Sequence, residues 1–567
     1  MGRWLAALCG GGIIGVAVAV AVALLYPDMR GTNRLYAGIF LGVLAWGLTV
    51  CGCVLPRLRK QLFAIHGWVG LVCGGMLFVL CFSGTLALLK DILSYREARS
   101  AQGPLVQVRE VDRVLAHAQA MGWLTLDGNT PYSIVLPTTL TRYVAVREAS
   151  AHRDKPDDEV WLDSSGLRRL EPDRGVLARL PTELHRHLLL EFPGRILVSL
   201  FGFALLALVV GGIVLHPRHG RMLWRIRWRQ GLRVLLGDLH RWLGLWLLPM
   251  WLLIALTGVL SGLGALGTVT LARFVHEGGV RQTMQELMPA PPSAIREGDS
   301  LLAPGSAVRG GLDAVLRRHE RDYPGSRPQL LDVRPETGGD AVVTVAGVRA
   351  GLLSTAVFER DHYRLSDALP LRHDSVSGRG FWLQAFAAIQ PLHFARYGGG
   401  AVTLLYALAG LSASVLVASG LFLWLRRRQA QGADVLRFQA WLVGSCGGLV
   451  TGWSTLLLAS SLPAAISIGP QMQTWVFWSC WICWLLLALL RPGWCAYYGL
   501  YRQSVWTGSC LVLAGWSDMA WLWGRPWTSS MPSWCVDLVL LVLGAWLVWL
   551  GVLRTRSTVA QPRGICI

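Results

Sequence analysis

Two stretches of this chain carry the same residue types at the same spacing. A histidine, a tryptophan, two glycines and a methionine recur at identical offsets: His66, Trp68, Gly70, Gly84 and Met76, then His240, Trp242, Gly244, Gly258 and Met250. Each copy places a histidine at one end of an apolar stretch. A duplication of this kind puts two imidazoles at the same membrane depth on different helices, which is the geometry that a haem iron with two histidine ligands requires.

A second, weaker repeat predicts another histidine pair. His187 is followed by Gly194, Gly202 and Gly212, and His393 by Gly400, Gly410 and Gly420, although the match needs one small gap. His66 and His240 begin their spans, whereas His187 and His393 precede theirs, so the two pairs lie toward opposite faces of the membrane. Two pairs at two depths predict two haems, through which an electron could cross the bilayer.

Other histidines compete for these roles. His185 lies two residues from His187, and the repeat favours His187 as the ligand. His216 closes a span and aligns with Trp424, so it is an alternative ligand on the inner side or a partner for a haem propionate. The histidines of the two long polar segments are interpreted as ordinary surface residues: His117, His152, His276, His319, His362 and His373. The alternative for the ligand set is that interfacial histidines anchor helices and glycines pack them, but the matched arrangement favours haem.

The composition explains which elements must position these residues. The chain has 567 residues, of which 53% are hydrophobic and 27 are tryptophan, as expected of a polytopic membrane protein. Hydropathy predicts ten spans at about 4–26, 35–55, 65–89, 193–215, 240–265, 399–425, 439–462, 473–490, 505–524 and 535–553.

The net charge of +19 lies mainly in short arginine-rich segments beside span ends, which argues against nucleic acid as a partner. Such segments follow the predicted spans two, four and six, and include Arg57, Arg225 and Arg427. All fall on one side if the spans alternate. The positive-inside rule makes that side cytoplasmic, so both termini are expected inside a bacterial inner membrane and both long polar segments outside it.

The two polar segments, at about 91–186 and 268–392, each predict a small helix-plus-sheet module. In the first, a helix is expected over Val111–Met121 and strands over Tyr132–Leu136, Arg142–Val146 and Glu159–Asp163. In the second, a helix is expected over Gly311–Arg321 and strands over Leu330–Val333, Ala341–Val345 and Thr355–Phe358. Either core is marginal in size, so both modules are expected to lean on the membrane part or on each other.

These motifs resemble a known family. The run Asp238–Pro249, together with Thr257-Gly258 further along the same span, is similar to the signature of the PepSY-associated transmembrane proteins. That family includes iron-regulated inner-membrane proteins and ferric-siderophore reductases. His66–Gly84 resembles the first core helix of that family, Leu392-His393 with its following glycines resembles the last, and Glu159–Gly166 resembles a PepSY strand and turn. The resemblance covers about residues 60–428, and the last four predicted spans depart from it.

Hydropathy and the resemblance together predict a mainly α-helical polytopic membrane protein of about ten transmembrane helices. Its duplicated four-helix haem-binding core and its two small α+β, PepSY-like periplasmic domains are what the resemblance implies. The expected divisions are two amino-terminal helices (1–60), core helix 1 (61–90), the first periplasmic domain (91–186), core helices 2 and 3 with a basic loop (187–265), the second periplasmic domain (266–392), core helix 4 (393–430) and four additional helices (431–567).

The resemblance also implies an oxidoreductase: a di-haem b conduit in the inner membrane that reduces ferric siderophores on the periplasmic side and releases Fe(II). The ligands transfer to His66, His240, His187 and His393, with His185 and His216 in reserve, and no separate catalytic residue is assigned. Reduction releases iron because hard oxygen ligands hold iron(III) far more tightly than iron(II). Arg195 and Arg396 lie near the outer histidines and could attract an anionic complex.

The electron donor is absent from the chain, since no inner segment is long enough for a flavin or nicotinamide domain. The donor is therefore expected to be a membrane quinol or a cytoplasmic reductase. Two alternatives remain: a non-catalytic accessory or transport protein of siderophore uptake with periplasmic binding loops, and a conduit that serves another periplasmic acceptor.

Overall fold

The computed structural model of the protein describes residues 31–97, 110–126, 129–137, 143–148, 159–163, 169–170, 175–216, 225–275, 290–293, 311–336, 340–462, 466, 468–522 and 527–559. Within residues 31–59 the helical backbone is described but the side chains are not. The first predicted span, at about 4–26, lies outside these ranges.

Six described helices are long and apolar enough to cross a membrane: Lys60–Leu88, Glu191–Leu215, Gly399–Ala430, Leu436–Ser460, Pro470–Leu490 and Trp534–Leu553. A seventh candidate is a bent pair, Arg233–Trp246 and Leu248–Gly264. These seven coincide with predicted spans. The predicted span at 505–524 is a helix, Leu500–Leu522, but it is not among those apolar enough to qualify. The count of ten stays a prediction.

The loop expected between the second and third predicted spans is absent. One helix, α1, runs from Gly31 to Leu88 and passes through Pro56 and the basic residues that follow it. At 1.5 Å per residue it is about 87 Å long, more than twice the thickness of a bilayer core. Arginine, leucine and lysine favour helix, so the basic stretch does not interrupt it.

Four long helices form the core that carries the histidines. They are α1, α5 (Glu191–Leu215), α7 (Leu248–Val275) and α10 (Gly399–Ala430). Short helices precede three of them: α4 (Val176–His187), α6 (Leu232–Trp246) and α9 (Phe381–His393).

The predicted straight span at 240–265 is bent. Helices α6 and α7 meet at 68° across Leu247. Pro249, at the second position of α7, has no amide hydrogen and its ring clashes with a carbonyl one turn back, so the helix cannot continue straight. The indole of Trp251 donates to the Leu243 carbonyl at 3.2 Å and ties the two segments together.

The two polar segments build a single sheet. Its eight antiparallel strands run in the order β4-β3-β2-β1-β5-β6-β7-β8. The strands are β1 Tyr132–Val135, β2 Tyr143–Glu148, β3 Glu159–Asp163, β4 Arg169–Leu170, β5 Ser326–Pro335, β6 Ala341–Arg349, β7 Arg360–Arg364 and β8 Pro370–Asp374. The predicted strand at Thr355–Phe358 is wrong, because those residues form turns and the strand begins at Arg360.

The two modules join about a local pseudo-twofold axis. Strands β1 and β5 pair so that Ile134 lies opposite Leu331. The helices α3 (Val111–Ala120) and α8 (Leu312–Asp322) cap each other: Asp112 accepts from the Leu312 amide at 3.0 Å, and Asp313 accepts from the Val111 amide at 2.7 Å. One apolar core therefore serves both modules, which solves the size problem that each has alone.

The remaining helices pack beside the core. They are α2 (Lys90–Glu97), α11 (Leu436–Leu442), α12 (Gly448–Ser460), α13 (Pro470–Leu490), α14 (Pro492–Trp494), α15 (Leu500–Leu522) and α16 (Trp527–Val559), with π-helical turns at Val443–Gly447 and Cys495–Gly499. We call α11–α16 the added bundle. Its Leu449 and Phe477 share a buried cluster with Phe82 of α1 and Leu177 of α4, so this bundle covers one side of the core.

Candidate functional site

Two histidine rings face each other where the short helices α4 and α9 meet the core. His185 lies in the last turn of α4 and His393 ends α9. Their ring centres are 6.1 Å apart and their planes differ by 16°. Two imidazoles that bind one metal ion from opposite sides, through bonds of about 2 Å, have ring centres about 6 Å apart. We call His185 and His393 the sheet-side pair, because both precede their long helices and follow the strands.

The sequence favoured His187 over His185, and the structure places His185 rather than His187 opposite His393; which of the two binds a metal stays a prediction. The ring that faces His393 belongs to His185, whereas His187 is buried and its carbonyl accepts the Leu190 amide in the turn that ends α4. That carbonyl also lies against Gly194. The repeat aligns without a gap when His185 is matched to His393, since Gly202 and Gly212 then match Gly410 and Gly420.

Each of the four histidine rings lies against a glycine of a neighbouring core helix. A Cβ atom at Gly84 would come 2.6 Å from the His185 ring, and one at Gly258 would come 3.0 Å from the His393 ring. A Cβ atom at Gly420 would come 3.0 Å from the His240 ring, and one at Gly211 would come 3.5 Å from the His66 ring. Gly212 is the next nearest to His66, at 3.8 Å. A side chain at the first three positions would displace the imidazole.

The same neighbouring helices hold the rings by Nδ1. His185 Nδ1 lies 2.9 Å from the Leu80 carbonyl, and His240 Nδ1 lies 2.9 Å from the Leu416 carbonyl. In both cases the carbonyl belongs to the residue four positions before the glycine. A carbonyl oxygen only accepts, so Nδ1 carries the hydrogen and Nε2 keeps a free lone pair. This is the tautomer that a metal-binding histidine uses.

His393 and His66 complete the pattern with small differences. His393 Nδ1 donates to Thr257 Oγ1 at 3.1 Å, because that hydroxyl already donates to the Leu253 carbonyl, and the Ile254 carbonyl also lies within reach. The Leu208 carbonyl is nearest to His66, but Nδ1 of His66 makes no hydrogen bond of normal geometry. Ile254 and Leu208 again lie four residues before Gly258 and Gly212.

His66 and His240 form the second pair, which we call the distal pair. They lie close enough to interact electrostatically, and Ser419 Oγ supports His240 Nδ1 at 3.2 Å. Beside them the buried Asp238 carboxylate accepts from Arg227 at 2.8 Å and from Arg241 at 3.0 Å. Asp238 therefore fixes two guanidinium groups next to His240, where they could pair with propionates.

His216 lies at the same end of the core as the distal pair. It follows the last residue of α5 and interacts electrostatically with Arg241. Its Nε2 is buried and has no hydrogen-bond partner. Unlike the four histidines above, it is not placed against a glycine in the part of the chain that the structure describes. Its role as a reserve ligand stays a prediction.

A cluster of cations lies near the sheet-side pair. Arg396 follows His393 closely in the chain and Arg186 is adjacent to His185, and both act on Lys90, which starts α2. Burial lowers the pKa of Lys90, and the positive charges of Arg396 and Arg186 lower it further. The sequence predicted that Arg396 attracts an anionic complex, whereas Lys90 and Arg186 were not predicted to do so. Arg195, the other predicted cation, is half-buried in α5.

Two histidines of the polar segments are not surface residues. His319 and His362 are 2% and 0% exposed. His362 bridges Thr344 and Asp374, while His319 contacts Ser326 at 2.9 Å. His373 is partly exposed and bonds to Asp361 at 2.6 Å, beside a small cavity that Tyr323 and Arg372 also line. The polar character of histidine alone predicted exposure, and only the folded sheet supplies these partners.

Among the described residues, no three histidine, cysteine or acidic side chains come together as a metal site. A metal ion held by either histidine pair would therefore have to bring its remaining ligands with it, as the iron of haem does. The fixed Nδ1 tautomers, the ring spacing of the sheet-side pair and the glycines beneath the rings all fit that group.

The comparisons with known proteins agree with this architecture. The sequence profile of the PepSY-associated TM region matches residues 63–427. An uncharacterised protein of Pseudomonas aeruginosa, PA4219, is 42% identical over 394 residues, which is 67% of this chain and 96% of the relative. The range that the family profile matches contains all four paired histidines and ends before the added bundle. The chain therefore belongs to the PepSY-associated transmembrane family.

Proposed function

We propose that this protein is a membrane electron conduit that holds two haem b groups and reduces ferric siderophore complexes, releasing Fe(II). In this proposal the sheet lies in the periplasm, the sheet-side pair holds the outer haem and the distal pair holds the inner one. Haem iron with two imidazole ligands supplies a one-electron couple and no open coordination position, which suits electron transfer.

The observation that carries the proposal is the repeated contact of each histidine ring with a glycine of a neighbouring helix, which we call its glycine seat. Four rings lie against glycines, and the carbonyl nearest each Nδ1 is one helical turn before the glycine. Helix anchoring would not require this arrangement, since an anchoring histidine needs neither a glycine opposite its ring nor a fixed tautomer. Three of the rings have Nδ1 hydrogen-bonded, which leaves Nε2 its lone pair, and the four histidines form two pairs, one near each end of the core.

The cations near the sheet-side pair support an anionic substrate. The charges of Arg396 and Arg186 disfavour the charged form of Lys90 in the protein alone, and the neighbouring Asp91 offsets part of this effect. An anion bound among them would relieve this repulsion and gain charge-assisted hydrogen bonds. A ferric complex with excess negative charge fits this position, and one added electron weakens the hold of its oxygen ligands on iron.

No nucleotide-binding motif accompanies the core, so we propose a membrane quinol or a cytoplasmic reductase as the electron donor. The distal pair faces the donor side in this arrangement. The arginines that Asp238 holds would bind the propionates there, and also keep His240 in place on the short helix α6.

The first test is haem stoichiometry, measured by pyridine haemochrome on detergent-purified protein. We expect two haem b groups in the wild type and one in His185→Ala, in His393→Ala and in His240→Ala. His187→Ala is the matched control, because it removes an adjacent imidazole outside the pair, and it should keep both. A colourless wild type from haem-replete cells would instead support a non-catalytic accessory protein.

The second test is reduction of substrate. Anaerobically reduced protein is mixed with a defined ferric siderophore, and Fe(II) is trapped with ferrozine while the haem spectrum is followed. We expect the haem to be oxidised at the same rate as Fe(II) is formed. In Lys90→Met that carries its full complement of haem, we expect both rates to be lower. Haem that is oxidised by Cu(II) or another acceptor but not by any ferric siderophore would favour the conduit with a different acceptor.

A further inference from the structure

One tryptophan lies at the centre of the core rather than at the surface of the membrane. Trp251 of α7 is 2% exposed, and no other tryptophan whose side chain the structure describes is as deeply buried. Tryptophan in membrane proteins is enriched at the level of the lipid headgroups, where one end of the ring is apolar and the other is wet. Anchoring of a helix at the interface therefore does not explain this indole.

All four core helices meet around Trp251. Ala409 and Ala413 of α10 are the other buried members of its apolar cluster. Cys81 of α1 and Val209 of α5 pack against the same cluster. The side chain of alanine ends at Cβ, so α10 leaves room for a large ring at this level. The indole therefore fills the middle of the four-helix core.

This level lies midway between the two histidine pairs. Along α7, Trp251 precedes Gly258, a glycine seat of the sheet-side pair, by seven residues, or about 10 Å of helix. Along α10, Ala413 precedes Gly420, a glycine seat of the distal pair, by the same seven residues and about 10 Å. The indole is therefore about equally far from both pairs along the core.

A hydrogen bond connects the indole to the helix that carries a histidine of the distal pair. Nε1 of Trp251 donates to the Leu243 carbonyl at 3.2 Å. Leu243 lies on α6, three residues after His240. One hydrogen bond and less than one turn of backbone thus join the indole to a proposed ligand of the inner haem.

The other side of the cluster reaches the sheet-side pair. Cys81, which packs against the cluster of Trp251, follows Leu80 directly in α1. The Leu80 carbonyl accepts from His185 Nδ1 at 2.9 Å. Electronic coupling passes more efficiently through bonds, hydrogen bonds and closely packed atoms than through empty space. The cluster of Trp251 therefore connects the segment of His240 to the carbonyl that holds His185.

We propose that Trp251 carries the electronic coupling between the two histidine pairs, so that an electron crosses the core through its indole. This proposal rests on the proposed function, because it needs an iron at each pair. One electron leaves the iron at the distal pair, which is oxidised, and reaches the iron at the sheet-side pair, which is reduced. The indole keeps its own electrons and its proton, and acts as a positioning residue that fills the gap with bonded atoms.

Oxidation from one side of a membrane measures this coupling. The protein is reconstituted in liposomes with the sheet outside, reduced, and mixed with ferricyanide, an anion that does not cross the bilayer. We expect the haem that is lost in His185→Ala to be oxidised first, and the haem that is lost in His240→Ala to be oxidised second. In Trp251→Ala only the second phase should become severalfold slower, and Trp251→Phe should lie between Trp251→Ala and the wild type.

Met250→Ala is the matched control, because it removes a neighbouring side chain that packs on the same cluster and leaves the indole in place. It should keep both rates, and the midpoint potentials of the two haems should be the same in every variant. The proposal is overturned if Trp251→Ala and Trp251→Phe bind two haems and keep the second phase unchanged. An equal slowing in Met250→Ala overturns it as well, since packing alone would then set the rate.

Thermal unfolding of the haem-free protein checks the placement of the indole independently. Trp251→Ala should lower the unfolding temperature, because removal of a buried ring leaves a cavity. An unchanged unfolding temperature contradicts the proposal, since the indole would then lie outside the core. A colourless wild type defeats the proposed function and the electron path together, whereas two haems with an unaltered second phase defeat the path alone.

Discussion

The two repeat units hold their histidines in the same way but are supported differently. In both units a histidine is followed 18 residues later by a glycine: His66 and Gly84 lie on α1, whereas His240 lies on α6 and Gly258 on α7. Eighteen residues are five full turns of an α-helix, so His66 and Gly84 share one face of α1 and lie about 27 Å apart along it. In each unit the segment thus contributes a histidine of one pair and the glycine that contacts a histidine of the other pair.

The helices differ at the position of Gly75 and Pro249. In the first unit a glycine packs closely on Trp441 of the added bundle, and α1 continues straight. In the second unit proline bends the equivalent helix by 68°. The placement of the histidine rings is therefore similar whether this helix bends or not, because each ring contacts a carbonyl and a glycine that lie one turn apart on a neighbouring helix.

The short ligand helices differ as well. Helix α4 is enclosed by α1 and the added bundle, and Glu97 binds its first amides. Helix α9 leaves Phe381 and Phe386 54% and 39% exposed. Among the described contacts α4 is the more enclosed helix, whereas α9 is held at Phe386 by the ring of Phe358. The two halves of the sheet-side pair should therefore respond differently to mutation.

The largest effect is expected from filling a glycine seat. Gly84→Ala places a Cβ 2.6 Å from the His185 ring and must displace it, so one of the two proposed haems should be lost. Gly258→Ala, at 3.0 Å from His393, should cause a smaller loss because α9 is less enclosed than α4. Pyridine haemochrome and the low-spin haem spectrum measure both.

The matched controls are Gly67→Ala and Gly264→Ala, on the same two helices, where a Cβ meets nothing within 4 Å. Both should keep two haems and gain about 0.5–1 kcal/mol of helix stability. Equal losses from Gly84→Ala and Gly67→Ala would show that the seats do not hold the rings.

A smaller effect should distinguish the hydroxyl groups of the two units. Thr257 accepts from His393, whereas the equivalent Ser83 hydroxyl bonds to Leu80 and not to His185. Thr257→Val should therefore weaken haem binding about tenfold, the lower end of the cost of removing such a partner. Haem transfer to apomyoglobin measures this affinity.

Ser83→Ala is the paired control and should leave the transfer rate unchanged. If Ser83→Ala and Thr257→Val weaken binding equally, then the hydroxyls act through helix packing rather than through Nδ1.

The smallest effect concerns the two halves of the sheet. Burial lowers the pKa of His319 and of His362, so the folded second module keeps them neutral, while the unfolded chain binds protons below about pH 6.5. Their contribution to stability is present above that pH and is lost as pH falls. Hydrogen exchange measured relative to the intrinsic rate at each pH should therefore show a loss of protection at pH 5 in β6–β8 before one appears in β1–β3.

The control for this pH dependence is His117→Gln in the first module, a half-buried histidine outside β6–β8, which should not alter the difference between the two halves. His362→Gln should reduce the difference between pH 7 and pH 5. Exchange that rises first in β1–β3 would contradict the assignment to the buried histidines.

Sequence alone located most of the elements within one to four residues. The helix predicted over Val111–Met121 is Val111–Ala120, and the strand predicted over Glu159–Asp163 has those bounds. Such elements follow from local periodicity. The joining of β1 to β5 depends on contacts between distant segments, which no local pattern encodes. The bend at Leu247, in contrast, follows from the local signal of Pro249.

For the site, the sequence determined the repeat itself: four histidines and four glycines, at offsets fixed by helical turns. It could not decide between His185 and His187, because two residues of the same short helix point in different directions and only packing shows which one meets His393. Nor could it place Arg96 with Asp518 and Asp537, which are more than 400 residues away in the chain. Periodicity along one helix is written in the sequence, whereas contacts between helices are decided by how their faces pack in the folded protein.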